Sequence, residues 1–314
     1  MTLGKTAGGL YWMFRYLERS ENTTRLLDAG FRMSLTRSTS TQNEWRSVLE
    51  TTGATYAFSE RHEEADLLKV VDFLLRDRSN QSSILSVMEA ARENARMSRT
   101  ALTREVWEAI NEAWIQLRAL LTRPIPERDV LEVLNAIRQQ GSLVRGALHG
   151  TMLRNDIYNF SRIGTFIERA DSTARILDVK YYLLLPSISL VGSAMDTTQW
   201  EMILRSVSAN RSYKWLNGAD INPVGIADFL ILDPRLPRSL AFCYAKINDN
   251  LGYLAKDYGT HYQSHELADT YLTGLREKSI GEIFDAGLHE FIAEFIGNNN
   301  ALGQQIEEDY RFYK

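Results

Sequence analysis

Glu18-Arg-Ser-Glu-Asn-Thr-Thr-Arg-Leu-Leu-Asp28 and Glu168-Arg-Ala-Asp-Ser-Thr-Ala-Arg-Ile-Leu-Asp178 read as two versions of one segment, identical at six of eleven positions. Glu/Asp, Ser/Ala and Leu/Ile exchanges add conservative matches. Further pairs follow in the same order along the chain. Trp45-x-x-Val-Leu49 has its counterpart in Trp200-x-x-Ile-Leu204, and Phe73-Leu-Leu-x-Asp77 in Phe229-Leu-Ile-x-Asp233. Ser83-Ile84 answers Ser239-Leu240, and Asn94 answers Asn250. Matches that stay in order across a chain point to an internal duplication. The expected architecture is therefore all-α, a multi-helix bundle of two diverged, pseudo-symmetric repeats. Residues 1–155 form the first and 156–314 the second, packed as one unit.

Helical periodicity runs outward from the repeated segment. A helix is expected over 10–33, and another opens at Trp45 behind a Thr41-x-x-Glu44 capping box. Thr198-x-x-Glu201 reads as the equivalent cap in the second half. Residues 63–76 and 82–121 read as helices, the latter long or kinked. Pro126 followed by Glu127 and Asp129 starts a run toward Tyr182, since proline and acids suit a helix N-terminus; Gly141 or Gly150 is the expected break. Later helices are expected over 198–210, 225–232, 237–258, 266–276, 280–296 and 301–312. No alternating strand stands out; Phe229-Leu-Ile-Leu232 is apolar enough for one but sits among helices.

Composition narrows the function. Lys and Arg number 36 against 40 Asp and Glu, with no basic stripe, which argues against nucleic acid as partner. The single Cys243, flanked by Phe242 and Tyr244, excludes an intramolecular disulfide and reads as a buried small side chain. The N-terminus lacks the pattern of a signal peptide. The apolar run from Tyr181 to Leu185 stops at Pro186, too short for a bilayer. A cytoplasmic protein without membrane contact is the expectation.

At 100° per residue, Tyr11, Arg15, Glu18, Asn22 and Arg25 share one helix face, with Trp12 and Arg19 at its edge. In the second segment Thr165, Glu168, Ser172 and Arg175 share a face flanked by Arg162 and Arg169. Each Glu stands seven residues before an Arg. Three readings are open: a buried Glu–Arg network fixing register, a polar cleft that binds a phosphate or carboxylate through planar guanidinium groups, or a solvated charged face. In the cleft reading Glu18 and Glu168 are the catalytic candidates, and Tyr11, Arg15, Arg19, Asn22, Arg25, Arg169 and Arg175 bind a small anionic ligand.

Arg92, Arg96 and Arg99 add three like charges on one face, which repel unless acids meet them. Glu18 or Glu168 is the preferred source, an external anion the other, so Arg92 and Arg96 join the ligand-binding candidates. His261 and His265 have the i, i+4 spacing of a zinc pair. They lack a Glu in the required place and read as loop or helix-start residues. No metal, phosphate-binding loop or Ser/His/Asp set is signalled, and no cofactor is expected. The Trp and Tyr residues read as core anchors.

Tyr11-Trp-Met-Phe-Arg-Tyr-Leu-Glu-Arg-Ser-Glu-Asn22, Ala91-Arg-Glu-Asn-Ala-Arg96, Trp107 with Asn111, Phe166-Ile-Glu-Arg-Ala-Asp171 and Leu232-Asp-Pro-Arg-Leu-Pro-Arg-Ser239 together resemble the bacterial alpha-E domain family over nearly the whole chain. The resemblance implies an all-helical fold and association with circularly permuted ATP-grasp proteins, enzymes that join a carboxylate to an amine. It therefore implies a helical partner or substrate-presenting module in amide or peptide bond formation, without catalysis of its own. The alternative is an enzyme that uses the paired Glu–Arg motifs in a cleft between the repeats.

Overall fold

The computed structural model describes residues 2–35, 42–183, 194–218 and 221–313. These residues are all-helical and contain no strand. In chain order the α-helices are α1 (Gly4–Ser34), α2 (Gln42–Thr51), α3 (Thr55–Ser59), α4 (Leu67–Leu75), α5 (Ile84–Met97), α6 (Arg104–Leu120), α7 (Val130–Thr151), α8 (Asp156–Leu183), α9 (Ala194–Ser206), α10 (Asn210–Asn217), α11 (Pro223–Ile231), α12 (Leu240–Tyr258), α13 (Gln263–Glu277), α14 (Ile280–Ala286) and α15 (Leu288–Asp309).

The two longest helices, α1 and α8, carry the repeated segments and pack on each other along the middle of the molecule. α1 also lies against α5 and α7, and α8 against α12 and α15. A helix surrounded on all sides needs small residues where a backbone approaches. Gly164 on α8 is such a point, because a Cβ there would overlap the carbonyl oxygen of Tyr11 on α1. Both helices bury side chains around most of their circumference: Leu10, Phe14, Leu17 and Leu27 on α1, and Phe160, Ile163, Phe166, Ile167 and Ala170 on α8. That is why neither shows a clean apolar stripe.

Several boundaries differ from expectation. The 82–121 run is two α-helices. α5 ends at Met97, and a short 3₁₀ turn leads to Thr103, whose hydroxyl accepts from the Val106 backbone N–H and restarts the helix. The later run breaks at residues 152–155, whereas Gly141 and Gly150 both lie inside α7. Thr198 lies within α9 rather than capping it. α2 begins at Gln42, and its expected cap Thr41 lies outside the described residues. Phe229–Ile231 are helical, capped by Asn222 with Pro223 in the first turn. α14 stops at Gly287, whose φ of 101° ends the helix, and α15 then runs unbroken to Asp309.

Candidate functional site

Where α1 and α8 cross, their Glu-Arg dipeptides exchange partners. Arg169 of α8 grips Glu18 of α1 through Nε–H to Oε1 and Nη2–H to Oε2, both at 2.9 Å. Arg19 of α1 grips Glu168 of α8 through Nε–H to Oε1 at 2.6 Å and Nη2–H to Oε2 at 3.0 Å. Each bond pair is a bidentate fork, the strongest geometry available to these groups. Glu18 and Glu168 are 2% and 5% exposed, so their carboxylates lie in the protein interior. Burial alone would raise the Glu18 carboxyl. The charges of Arg169 and Arg238 outweigh it and hold its pKa far below the usual carboxylate range. Glu168 is likewise raised by burial but lowered on balance by Arg19 and Arg15.

The surroundings of the two forks differ. Around Glu18, Arg238 forms an ion pair with Glu18 (Nη2 to Oε1, 3.0 Å) and donates from Nη2 to Glu21 Oε1 (3.4 Å) and from Nη1 to Asn22 Oδ1 (2.8 Å). Glu21 also pairs with Arg25 and Arg145. Arg238 sits just before Ser239, the cap of α12. The Thr173 hydroxyl and Arg169 Nη1 hold that turn through the carbonyls of Arg238 and Pro237. Burial pushes the Arg238 guanidinium down; Glu18 opposes this, while Arg169, Arg25 and Arg145 add to it, leaving a pKa of about 9. It stays charged at neutral pH.

Around Glu168 the second guanidinium is Arg15, donating from Nε to Oε2 at 2.9 Å. Arg15 lies over the Trp12 ring, 4.5 Å from its centroid, and donates from Nη1 to the buried Tyr11 hydroxyl at 3.3 Å. Beyond Glu168 the structure opens into a polar cleft of about 380 Å³, lined by Arg19, Asn22, Ser82, Glu168, Asp171 and Arg175 among others. Arg175 pairs with Asp171 at 2.7 Å. Asp171 Oδ1 is buried and meets no hydrogen-bond donor among the described residues.

The crossing thus gathers Tyr11, Arg15, Glu18, Arg19, Asn22, Arg25, Glu168, Arg169 and Arg175. It does not gather Arg92 and Arg96. Arg92 donates to Asn111 at 2.8 Å, and Arg96 pairs with Glu93 on its own helix at 2.9 Å. The acid that relieves this trio is Glu93 rather than Glu18 or Glu168, and Arg99 rests over the Trp107 ring. The spacing of seven between Glu and Arg is also superseded, because Arg25 and Arg175 pair four residues back, with Glu21 and Asp171. Sequence reasoning missed Glu21, Arg145 and Arg238 as members of the network. Arg238 stood in the quoted Leu232–Ser239 segment; Arg145 gave no local signal.

Cys243 is fully buried, and burial raises its thiol to about 12. His265 opens α13: its Nδ1 accepts from the Tyr262 backbone N–H at 2.9 Å, and its Nε2 lies 3.1 Å from the Leu251 carbonyl. No cluster of three metal-ligating side chains occurs among the described residues. No helix there is long and apolar enough to cross a membrane.

An all-helical chain held at its centre by exchanged Glu-Arg dipeptides is the class that fold and site define. The chain belongs to the Alpha-E family, described as a predicted alpha-helical domain with a conserved ER motif, and matches it over residues 2–311. No curated protein and no solved structure matches the chain.

Proposed function

We propose that this chain is a helical partner or substrate-presenting module of an ATP-grasp-type amide- or peptide-ligase pathway, without catalysis of its own. The observation that carries the reading is the exchange of partners between Glu18-Arg19 and Glu168-Arg169. Both glutamates that could have activated a substrate are spent on guanidinium groups in the interior. A general base must be able to take a proton near neutral pH. Glu18, held far below the carboxylate range, is a poor one. The circularly permuted ATP-grasp partner follows from the family resemblance.

We also infer that the halves on either side of residue 155 arose by duplication and are packed into one unit. α5 lies on α1 and α12 on α8. Ser83 caps α5 as Ser239 caps α12, each accepting from the N–H three residues on. Gly53 follows α2 with a φ of 67° and Ser208 follows α9 with a φ of 57°, both in the left-handed region.

The test is co-purification of the chain with the ATP-grasp protein, and ligase assays with and without it. Stable association and dependent activity support the module; full ligase activity without the chain contradicts it. A second reading, an enzyme acting on a carboxylated or phosphorylated substrate, is favoured by the polar cleft beside Glu168. Turnover by the isolated chain that Glu168→Gln abolishes, with the fold intact, supports that reading.

A further inference from the structure

The two sides of the crossing correspond residue by residue once the halves are overlaid through their repeats. Glu18, Glu21, Asn22 and Arg25 answer to Glu168, Asp171, Ser172 and Arg175. The position before each cap is Arg238 before Ser239 and Ser82 before Ser83. On the first side the Arg238 guanidinium fills the space between Glu18, Glu21 and Asn22. On the second, Ser82 stops short, and the corresponding space is the cleft of about 380 Å³. Small-molecule sites run from about 300 to 1,000 Å³. Asp171 takes Arg175 on Oδ2 as Glu21 takes Arg25 on Oε1. Glu21 also meets Arg238 and Arg145, whereas Asp171 Oδ1 is left buried without a donor among the described residues, which is costly.

The protein thereby carries its own pattern for what the cleft accepts, an N–H donor fork. Charge sets the rest of the ligand. Arg15, Arg19 and Arg175 face Glu168 and Asp171, so three guanidinium groups already meet two carboxylates. A ligand that brought only positive charge would deepen that surplus most, whereas one that also carries a carboxylate deepens it less and sets its own negative charge against the guanidinium groups. We propose that the cleft binds a small zwitterion of basic-amino-acid type, its guanidinium or ammonium against Asp171 and its carboxylate toward Arg19 and Arg175. The inference rests on the duplication proposed above, and it gives the module a substrate class to present.

The experiment is calorimetric titration of the full chain with L-arginine, L-lysine, agmatine and acetate, alongside thermal melts. Arginine or lysine should bind saturably. Agmatine, which lacks the carboxylate, should bind more weakly, and acetate should show no saturable binding. Asp171→Asn should weaken arginine binding roughly tenfold or more, as expected for loss of a charge-assisted hydrogen bond. Ser82→Arg supplies the missing guanidinium from the chain itself. It should abolish binding and leave the melting temperature unchanged or higher. Ser82→Gln, which adds bulk without charge, should also weaken binding. A lowered melting temperature in Ser82→Arg overturns the equivalence of the two halves. An unchanged or raised one, with no binding of either amino acid to the natural chain, overturns the ligand alone. Binding of acetate with no binding of the amino acids overturns the donor-fork assignment. Neither result bears on association with a ligase, which is measured separately.

Discussion

Arg169 and Glu18 meet through a two-bond fork at 2.9 Å, and the residues beside them in sequence, Glu168 and Arg19, form the reciprocal fork. Adjacent residues on a helix point about 100° apart, so one dipeptide can act in two directions at once. Glu18 faces the α12 side of the crossing and Arg19 the cleft side. A slide of α1 along α8 would break both forks together, and the charges would remain buried without partners. The crossing is therefore fixed in register as well as held together.

Arg238 should be less expensive to remove than its acids. Glu18 and Glu21 keep Arg169, Arg25 and Arg145 when it is gone, and the crowding among those guanidinium groups is relieved. Arg238→Met is expected to cost about 1–3 kcal/mol in urea unfolding, less than loss of the Glu18 charge. A larger loss than for Glu18→Gln would contradict this ordering.

Acid should loosen the crossing. Glu18 and Glu168 have folded pKa values below the unfolded one of about 4.3, so the unfolded chain binds more protons as the pH falls. Their contribution is complete above that value and is lost progressively below it. Unfolding free energy measured from pH 7 to pH 3 should therefore fall most steeply below about pH 4.5. A flat profile across that range would show that the carboxylates are not paired in the folded state.

Gly164→Ala sets two effects against each other. Alanine in a helix interior is favoured by about 1 kcal/mol over glycine. Here the new methyl would overlap the Tyr11 carbonyl oxygen, a backbone atom that moves only if α1 and α8 separate. The clash should win, with a net loss of roughly 1–3 kcal/mol by denaturation. A stabilised variant would mean that the helices do not approach so closely.

His149 reports the charge on the α7–α8 side. Partial burial lowers its pKa, and Arg162, Arg154, Arg145 and Arg169 lower it further, to about 4. The nearest guanidinium is that of Arg162, 3.2 Å from Nε2. Titration of the ring by NMR should give a value near this, and Arg162→Gln should raise it toward the ordinary 6.5. An unchanged value in the variant would show that Arg162 does not contribute to the shift.

Much of the fold was legible in the sequence because helix periodicity and capping are local. The repeated Glu-Arg segments located the two central helices, α1 and α8. The boundaries that went astray are those where a longer-range cue competes. Gly141 and Gly150 suggested breaks, but both sit inside α7 without ending it. Ser98 to Thr103 gave no Gly or Pro, so the break between α5 and α6 rests on a single Thr cap. The site was legible in composition rather than in pairing. A helical wheel put Glu18 and Arg25 on one face, yet it could not reveal that Glu18 reaches across to Arg169, nor that Arg238, far along the chain, enters beside it. Arg92 and Arg96 looked like parts of the same network because like charges call for acids, and Glu93 next to them already supplied one.

The most direct measurement is chemical unfolding of Glu18→Gln, paired with an assay of its pathway function. The variant leaves Arg169 and Arg238 buried without their central counter-charge. A loss of roughly 3–5 kcal/mol is expected, with function falling only as far as the folded fraction does. A variant that keeps its full stability yet loses function would contradict the account and make Glu18 a working group of a site rather than a brace.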